Sequence, residues 1–168
     1  MAAVVTIDET NGATPGTITA NISNSNMGSI DMPNLNSVSY PIAPGNNTFE
    51  KWQRFDLSSL GGSSAIENLM VWRTGTLGGS AVHVTNAVTS SYGGAVTYAA
   101  PTASTSTVAT HTMPTSQPAS ANVGIGGSLT GSLTAIGYSD YIIHQIQSNA
   151  SDTAGSTSTM NYSYDEIA

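Results

Sequence analysis

Three histidines, three basic residues and ten acids make up nearly all the titratable chemistry of this chain, and they are poorly spaced for catalysis. His144 follows Asp140 by four residues, a spacing that on a strand separates them by about 13 Å along the chain direction. The two would share a face without forming a pair. Set between Ile142 and Ile146, His144 reads as a satisfied core or interface histidine. His83 alternates with Val82 and Val84, which points it towards solvent or a subunit contact, and His111 lies in a polar stretch. A Ser-His-Asp site is recognised by geometry and not by order along the chain. With serine this abundant, however, no one Ser stands out, and no Gly-x-Ser-x-Gly elbow is present. Gly124-Ile125-Gly126-Gly127 lacks the third glycine of the dinucleotide fingerprint, and no Walker lysine follows any glycine run. These glycines fit a tight turn entering a strand. There is no cysteine, hence no disulfide and no thiolate metal site. No Asp-x-Asp-x-Asp-Gly calcium loop occurs. No catalytic, cofactor-binding or metal residue is assigned, and the expected cofactor is none. Asn21, Asn46, Asn149 and Asn161 open N-x-Ser/Thr sequons, which have no meaning without a secretory route.

Charge is the scarce component. Lys51, Arg54 and Arg73, the only basic residues, fall in one 23-residue stretch, and charged residues are 8% of the chain against roughly a quarter in ordinary soluble domains. Such a surface cannot track phosphates, and it offers no basic cluster to anionic lipid. Neither nucleic acid nor membrane is an expected partner. The composition suits contact with other proteins through backbone, hydroxyl and amide groups. Phe49, Trp52, Phe55 and Trp72 lie in or beside the same basic stretch. They can form a sandwich core, with Lys51, Arg54 and Arg73 pairing with Glu50, Asp56 and Glu67. They can also form an aromatic platform for glycan.

The elements that would position these residues have a period of two. Ile18, Ala20 and Ile22 alternate with polar residues, as do Val82 and Val84, and Met160, Tyr162 and Tyr164. Ala65 to Trp72 is apolar on both faces, with Ile66, Met70 and Trp72 sharing one of them, which predicts a covered central strand and a core Trp72. Tyr141 to Gln147 reads similarly. In Glu50 to Leu57, Trp52 and Phe55 point to opposite faces unless a bulge intervenes. Turn dipeptides separate the runs: Asn11-Gly12, Pro44-Gly45, Gly61-Gly62, Gly78-Gly79, Gly93-Gly94 and Gly126-Gly127. No window of ten residues carries an amphipathic helix. The pattern predicts a single all-β domain over 1–168, an antiparallel β-sandwich (immunoglobulin-like or jelly-roll) of eight to ten short strands. Met1 to Thr10 alternates weakly and shows no obvious partner. Pro101 to Asn122 holds three prolines and no charge. It reads as a long polar loop at about 101–122, either a flexible excursion or an arm that orders against a neighbouring subunit.

Three segments together resemble small virion structural proteins of tailed bacteriophages. They are FEKWQRFDLSSLGGSSAIENLMVWRTG (49–75), PTSQPASANVGIGGSLTGSLTAIGYSDYIIHQIQ (114–147) and TMNYSYDEIA (159–168). The shared style is a Trp-containing strand, an Ile-x-Asn-x-x-x-Trp strand, a Pro-Ala-x-Ala-Asn turn leading to paired glycines, a Gly-Tyr-Ser-Asp-Tyr strand and a closing Tyr-x-Tyr-Asp-Glu strand. The resemblance implies a non-enzymatic β-sandwich component of the particle and supplies no catalytic residues. The expected role is a capsid decoration (cement) protein; the alternatives are a tail-tube or tail-surface component, or a glycan- or receptor-binding module. Expected partners are the major capsid protein or other virion proteins, and a homo-oligomer with a trimer favoured. The N-terminus lacks the basic region and apolar run of a secretory signal. The expected location is therefore the virion, after synthesis in the host cytoplasm. A secreted protein stripped of its signal peptide would look the same.

Overall fold

Chain reversals fall at the turn dipeptides. Asn11-Gly12 begins the link between β1 (Val4–Asn11) and β2 (Thr17–Thr19), and Gly61-Gly62 joins β3 (Lys51–Ser59) to β4 (Ala65–Thr74). Gly126 and Gly127 have φ of 58° and 85°, the left-handed backbone that a two-residue type I′ turn needs, and Ile125 and Ser128 bridge across them. The remaining strands are β5 (Val82–Thr85), β6 (His111–Thr112), β7 (Ser132–Leu133), β8 (Gly137–Tyr138), β9 (Ile142–Gln147) and β10 (Thr159–Ile167). This computed structural model describes residues 1–87, 97–153 and 155–168, so the expected Gly93-Gly94 turn lies outside the described residues.

Every strand pair is antiparallel, and no helix occurs among the described residues. The larger sheet runs β2-β1-β3-β9-β5-β6, with β8 also pairing β3; the smaller runs β10-β4-β7. The fold is thus the all-β antiparallel sandwich that the period of two predicts. Met1 to Thr10 is not partnerless. Val4 to Thr10 pairs with β3 from Ser59 to Trp52, placing the N-terminal strand inside the larger sheet.

One apolar core joins the sheets: Phe55, Leu57 and Ile142 from the larger, Ile66, Leu69 and Val71 from the smaller, with Tyr162 packed against them. Trp72 is half-buried and not part of it. The cause is a bulge in β4. Between the Met70–Ser163 and Glu67–Asp165 pairs, β4 spends three steps where β10 spends two, and Asn68 takes a left-handed φ of 56°. Asn tolerates that conformation better than most side chains. The extra residue inverts the alternation, so Ile66, Leu69 and Val71 face inward and Trp72 faces out. Trp52 and Phe55 do lie on opposite faces of β3, and both are buried. Phe55 sits in the inter-sheet core, while Trp52 packs edge-on against Tyr98 and Tyr141 on the outer face, beside Ile143 and Ala109.

Pro101 to Asn122 packs on its own sandwich, its first part over this outer face and its last part beside β4, and is neither a loose excursion nor a detached arm. Buried polar side chains of the sandwich take up its backbone. Gln145 Nε2 donates to the Ser104 carbonyl at 2.7 Å and to the Thr48 carbonyl at 3.0 Å, and Gln145 Oε1 accepts from the Ser106 N–H. Ser106 Oγ donates to Glu50 Oε1 at 2.6 Å, and the Glu50 N–H bonds the Thr102 carbonyl. Asn122 acts as a surrogate strand, accepting from the Val71 N–H and donating to the Val71 carbonyl, both at 2.8 Å. Ala109 and Met113 are buried, Met113 in the inter-sheet core. These contacts offset the ordering cost of roughly 1–2 kcal/mol per residue that a polar segment must otherwise meet elsewhere. The isolated protein is therefore expected to resist a broad-specificity protease across 101–122, read by mass spectrometry of the fragments. Rapid cleavage confined to that segment would show that these contacts do not hold in solution.

Candidate functional site

The inner face of the larger sheet is apolar at one end only. At the other end Glu9, Lys51, Gln53, His144 and His83, all buried, form a row across the adjacent strands β1, β3, β9 and β5. Strand register builds the row. Glu9 lies opposite Gln53, Lys51 opposite His144, and Thr85 opposite His144, leaving His83 one diagonal step away. The odd-numbered positions of β1, β3 and β5 and the even ones of β9 all turn inward, so a single parity choice buries the whole set.

Lys51 Nζ donates to Glu9 Oε1 at 2.7 Å and to the Met32 carbonyl at 2.6 Å, and Gln53 Nε2 donates to Glu9 Oε2 at 2.9 Å. Asn11 Nδ2 adds a third donor on Glu9 and also reaches Asp31 at 2.6 Å. This is the only ion pair among the described residues. The expected partners Glu50, Asp56 and Glu67 are not used by the three cations. Glu50 faces the outer layer, accepting from Trp52 Nε1 at 3.0 Å. The Arg54 guanidinium lies 3.4 Å from the Tyr138 ring centroid, a cation–π contact, and Arg73 Nη1 donates to the Gly75 carbonyl.

Donor direction follows from Glu9. A carboxylate accepts only, so Gln53 turns its amide N–H to Glu9 and its carbonyl to Tyr162 Oη at 2.7 Å and His144 Nε2 at 3.1 Å. His144 therefore carries its proton on Nε2 and accepts on Nδ1 from His83 Nε2, 2.8 Å away. The chain of donors runs from His83 to Glu9, and His83 Nδ1 at its start is left without a partner within the described residues. Burial holds both imidazoles neutral. It depresses His83 to about 3, with Arg73 adding to the effect, and it holds His144 well below the ordinary histidine range, with His83 and Lys51 adding. Burial likewise raises the Tyr162 hydroxyl above its ordinary value.

His144 is thus the satisfied core histidine its neighbours predict, while His83 is buried where the sequence points it outward. Val82 is the exposed member of that pair of faces. His111 is exposed on β6, and its Nδ1 meets only the adjacent Thr110 hydroxyl. Asp140 accepts from the Gly127 N–H and makes no pair with His144. Among the described residues no serine hydroxyl bonds a histidine, and no cluster of three or more His, Asp or Glu is placed to hold a metal ion. Phe55 and Trp52 occupy opposite faces and Trp72 the other sheet, so the aromatics form no common platform. The polar row itself escaped sequence reasoning because its members come from four strands, though the inward parity of Lys51 and Gln53 with Phe55 was a usable signal.

A cavity of about 500 Å³ adjoins the row at His83, and a second of about 350 Å³ shares Met27, Leu77 and Ile146 with it. His83, Ser25 and Tyr162 line the larger. Comparison with known proteins gives no match to any family model, curated protein or solved structure.

Two stability outcomes follow. Lys51→Met strands the Glu9 carboxylate in the interior, and a loss of about 3–5 kcal/mol is expected. The Glu9→Gln/Lys51→Met double variant should recover much of it in urea titrations; a double variant no more stable than the single would mean that stranded charge is not the cause. The histidines set the pH dependence. A folded-state value below the unfolded one means that the unfolded chain takes up protons the folded protein refuses. Stability is therefore full above about pH 6.5 and falls as pH drops towards 3, by about 2 kcal/mol at pH 5 from His83 alone. A urea midpoint unchanged between pH 7.5 and 5 would show that the imidazoles titrate freely in the folded state.

Proposed function

We propose that this protein is a non-enzymatic structural component of a tailed-phage virion, a capsid decoration protein that holds neighbouring capsomers by surface contact. The observation that carries this reading is where the folded chain puts its charges. Of thirteen charged side chains, three basic and ten acidic, six are buried: Asp8, Glu9, Glu50, Lys51, Asp140 and Asp152. Only Asp165 and Glu166 are exposed, and the other five are half-buried. The exterior is left to hydroxyl, amide and backbone groups and to scattered apolar side chains such as Val38 and Ile136. Such a face associates by shape and hydrogen bonding, without steering by charge.

The smaller sheet supplies a second support. β10 is a nine-residue edge strand, paired with β4 on one side and with no strand on the other among the described residues. Its first six residues carry no charge, Pro or Gly, the devices that usually blunt an edge. A long edge with few of these devices is suited to strand addition by a neighbouring protein. The phage resemblance of 159–168 falls on this strand.

The deciding experiment is a protein inventory of purified virions from the phage whose genome encodes the chain. It is expected there at a copy number stoichiometric with the major capsid protein; recovery only from the soluble lysate would overturn the proposal. Association with the particle, or with further copies of itself, is expected to be unchanged between low salt and about 1 M, because screening weakens charge pairs and leaves apolar and neutral polar contacts in place. Release by salt would place charge at the interface and contradict the reading.

A further inference from the structure

Glu9 holds two nitrogens on one oxygen atom. Lys51 Nζ donates to Glu9 Oε1 at 2.7 Å, and Asn11 Nδ2 donates to the same Oε1 at 2.9 Å. Strand register brings them there. Asn11 stands one step beyond the Thr10–Trp52 pair, which sets it opposite Lys51 on the neighbouring strand. Directly opposite residues have Cβ atoms about 4.5–5.5 Å apart, and both share the inward parity of Glu9 and Gln53. Glu9, Lys51 and Asn11 are 0%, 1% and 8% exposed. An amine, a carboxamide and a carboxyl group enclosed together have one reaction open to them that needs no further reactant: transfer of the Asn11 acyl group to the lysine nitrogen.

The amide is held as an acyl donor. Its Nδ2 faces two carboxylates, Glu9 and, at 2.6 Å, Asp31, which assigns nitrogen and not oxygen to that side. Asn11 Oδ1 is left buried and without a partner among the described residues. The group is therefore fixed through its nitrogen alone, and its carbonyl is free to change geometry on attack. An Asn-Gly pair has a competing reaction, attack by the Gly12 nitrogen on the Asn11 side chain. It is opposed here, because the Gly12 N–H is tied to Asp31 Oδ2 at 2.7 Å. Gln53 Nε2 occupies Glu9 Oε2, which leaves Oε1 to the two reacting nitrogens.

We propose that Lys51 and Asn11 join in an intramolecular isopeptide bond with Glu9 as the proton carrier, the Lys51–Glu9 ion pair being the state that precedes it. Lys51 Nζ passes a proton to Glu9 Oε1 and attacks Asn11 Cγ through the lone pair this frees. The Nζ–Cγ bond forms and the Cγ–Nδ2 bond breaks. Of the three protons on Nζ, one stays on the new amide and two cross through the Glu9 carboxyl group to Nδ2, which departs as ammonium. Nothing is oxidised or reduced, and the Glu9 carboxylate is regenerated. The flexible stem of Lys51 covers the approach to Cγ. Enclosure makes the aminolysis unimolecular and keeps out the water that would hydrolyse the amide. The product braces β1 to β3 covalently. It rests on these side chains alone and does not depend on the virion reading.

The test is mass spectrometry of the folded, purified protein held at neutral pH until its mass is constant. Loss of one ammonia lowers the mass of the linked chain by about 17 Da. Cleavage before Asp puts Asn11 on fragment 8–30 and Lys51 on fragment 31–55 of an unlinked chain. From the linked chain the two are expected as one species, with fragmentation placing the join between Asn11 and Lys51. Lys51→Arg, Asn11→Ala and Glu9→Gln are each expected to give separate fragments without the loss, with circular dichroism reporting that each variant is folded. Separate fragments from the wild-type chain would overturn the proposal, whatever the variants do. So would a join that persists in Lys51→Arg, or a loss of ammonia confined to fragment 8–30, the mark of a succinimide at Asn11-Gly12. A join formed at the same rate in folded Glu9→Gln would overturn the role given to Glu9.

Discussion

The buried Lys51–Glu9 pair and the amide and imidazole groups strung from it constrain everything around them. A buried ion pair is not a strong source of net stability, because removing both charges from water costs about what their attraction returns. Its effect is on register. A slip of one residue between β1 and β3 would turn Glu9, or Lys51 and Gln53, to the outer face and strand the remainder. The same pair pulls in the segment after β2, since Lys51 also needs the Met32 carbonyl and Asn11 needs Asp31. One end of the sandwich is therefore closed by irregular chain carrying polar groups, where a third apolar layer would have left the row unsatisfied.

Burying six of thirteen charges changes the outside as much as the inside. A chain already poor in charge becomes a fold with seven charged side chains at least partly at its surface, and hydroxyls and amides make up most of the polar exterior. The larger sheet also has both faces covered. Its inner face meets the smaller sheet and the polar row, and its outer face meets Trp52, Tyr141 and the 98–109 stretch. On the outside Glu50 accepts from Trp52 Nε1 and the Ser106 hydroxyl, and Gln145 satisfies backbone that has no strand partner.

Much of this fold is legible in the chain. The period of two at Val82–Val84 and Met160–Tyr164 and the two-faced apolar run at Tyr141–Gln147 mark three strands, and the Gly-Gly and Asn-Gly dipeptides mark the reversals, because side-chain pattern and left-handed turns are local properties. The absence of cysteine and of basic clusters is likewise a matter of composition. What failed, failed at long range. Trp72 looked inward until the bulge at Asn68 inverted the alternation, and nothing local announces that β10 runs one residue shorter than β4 across this point. His83 looked outward because valines flank it, although Val82 is the exposed side chain and His83 the buried one.

The candidate site was invisible for the same reason. The sequence by itself determined the elements, the turns and the scarcity of charge, since each depends on residues near one another in the chain. Only the tertiary structure decided which polar residues would be buried together, because Glu9, Gln53, His144 and His83 meet through the order β1-β3-β9-β5, and that order is set by which strands pair. It also decided that Pro101 to Asn122 lies on its own sandwich. Gln145 and Glu50, distant in the chain, hydrogen-bond that segment, and its own Asn122 bonds Val71; a small polar loop has no pattern by which these partners could be foreseen.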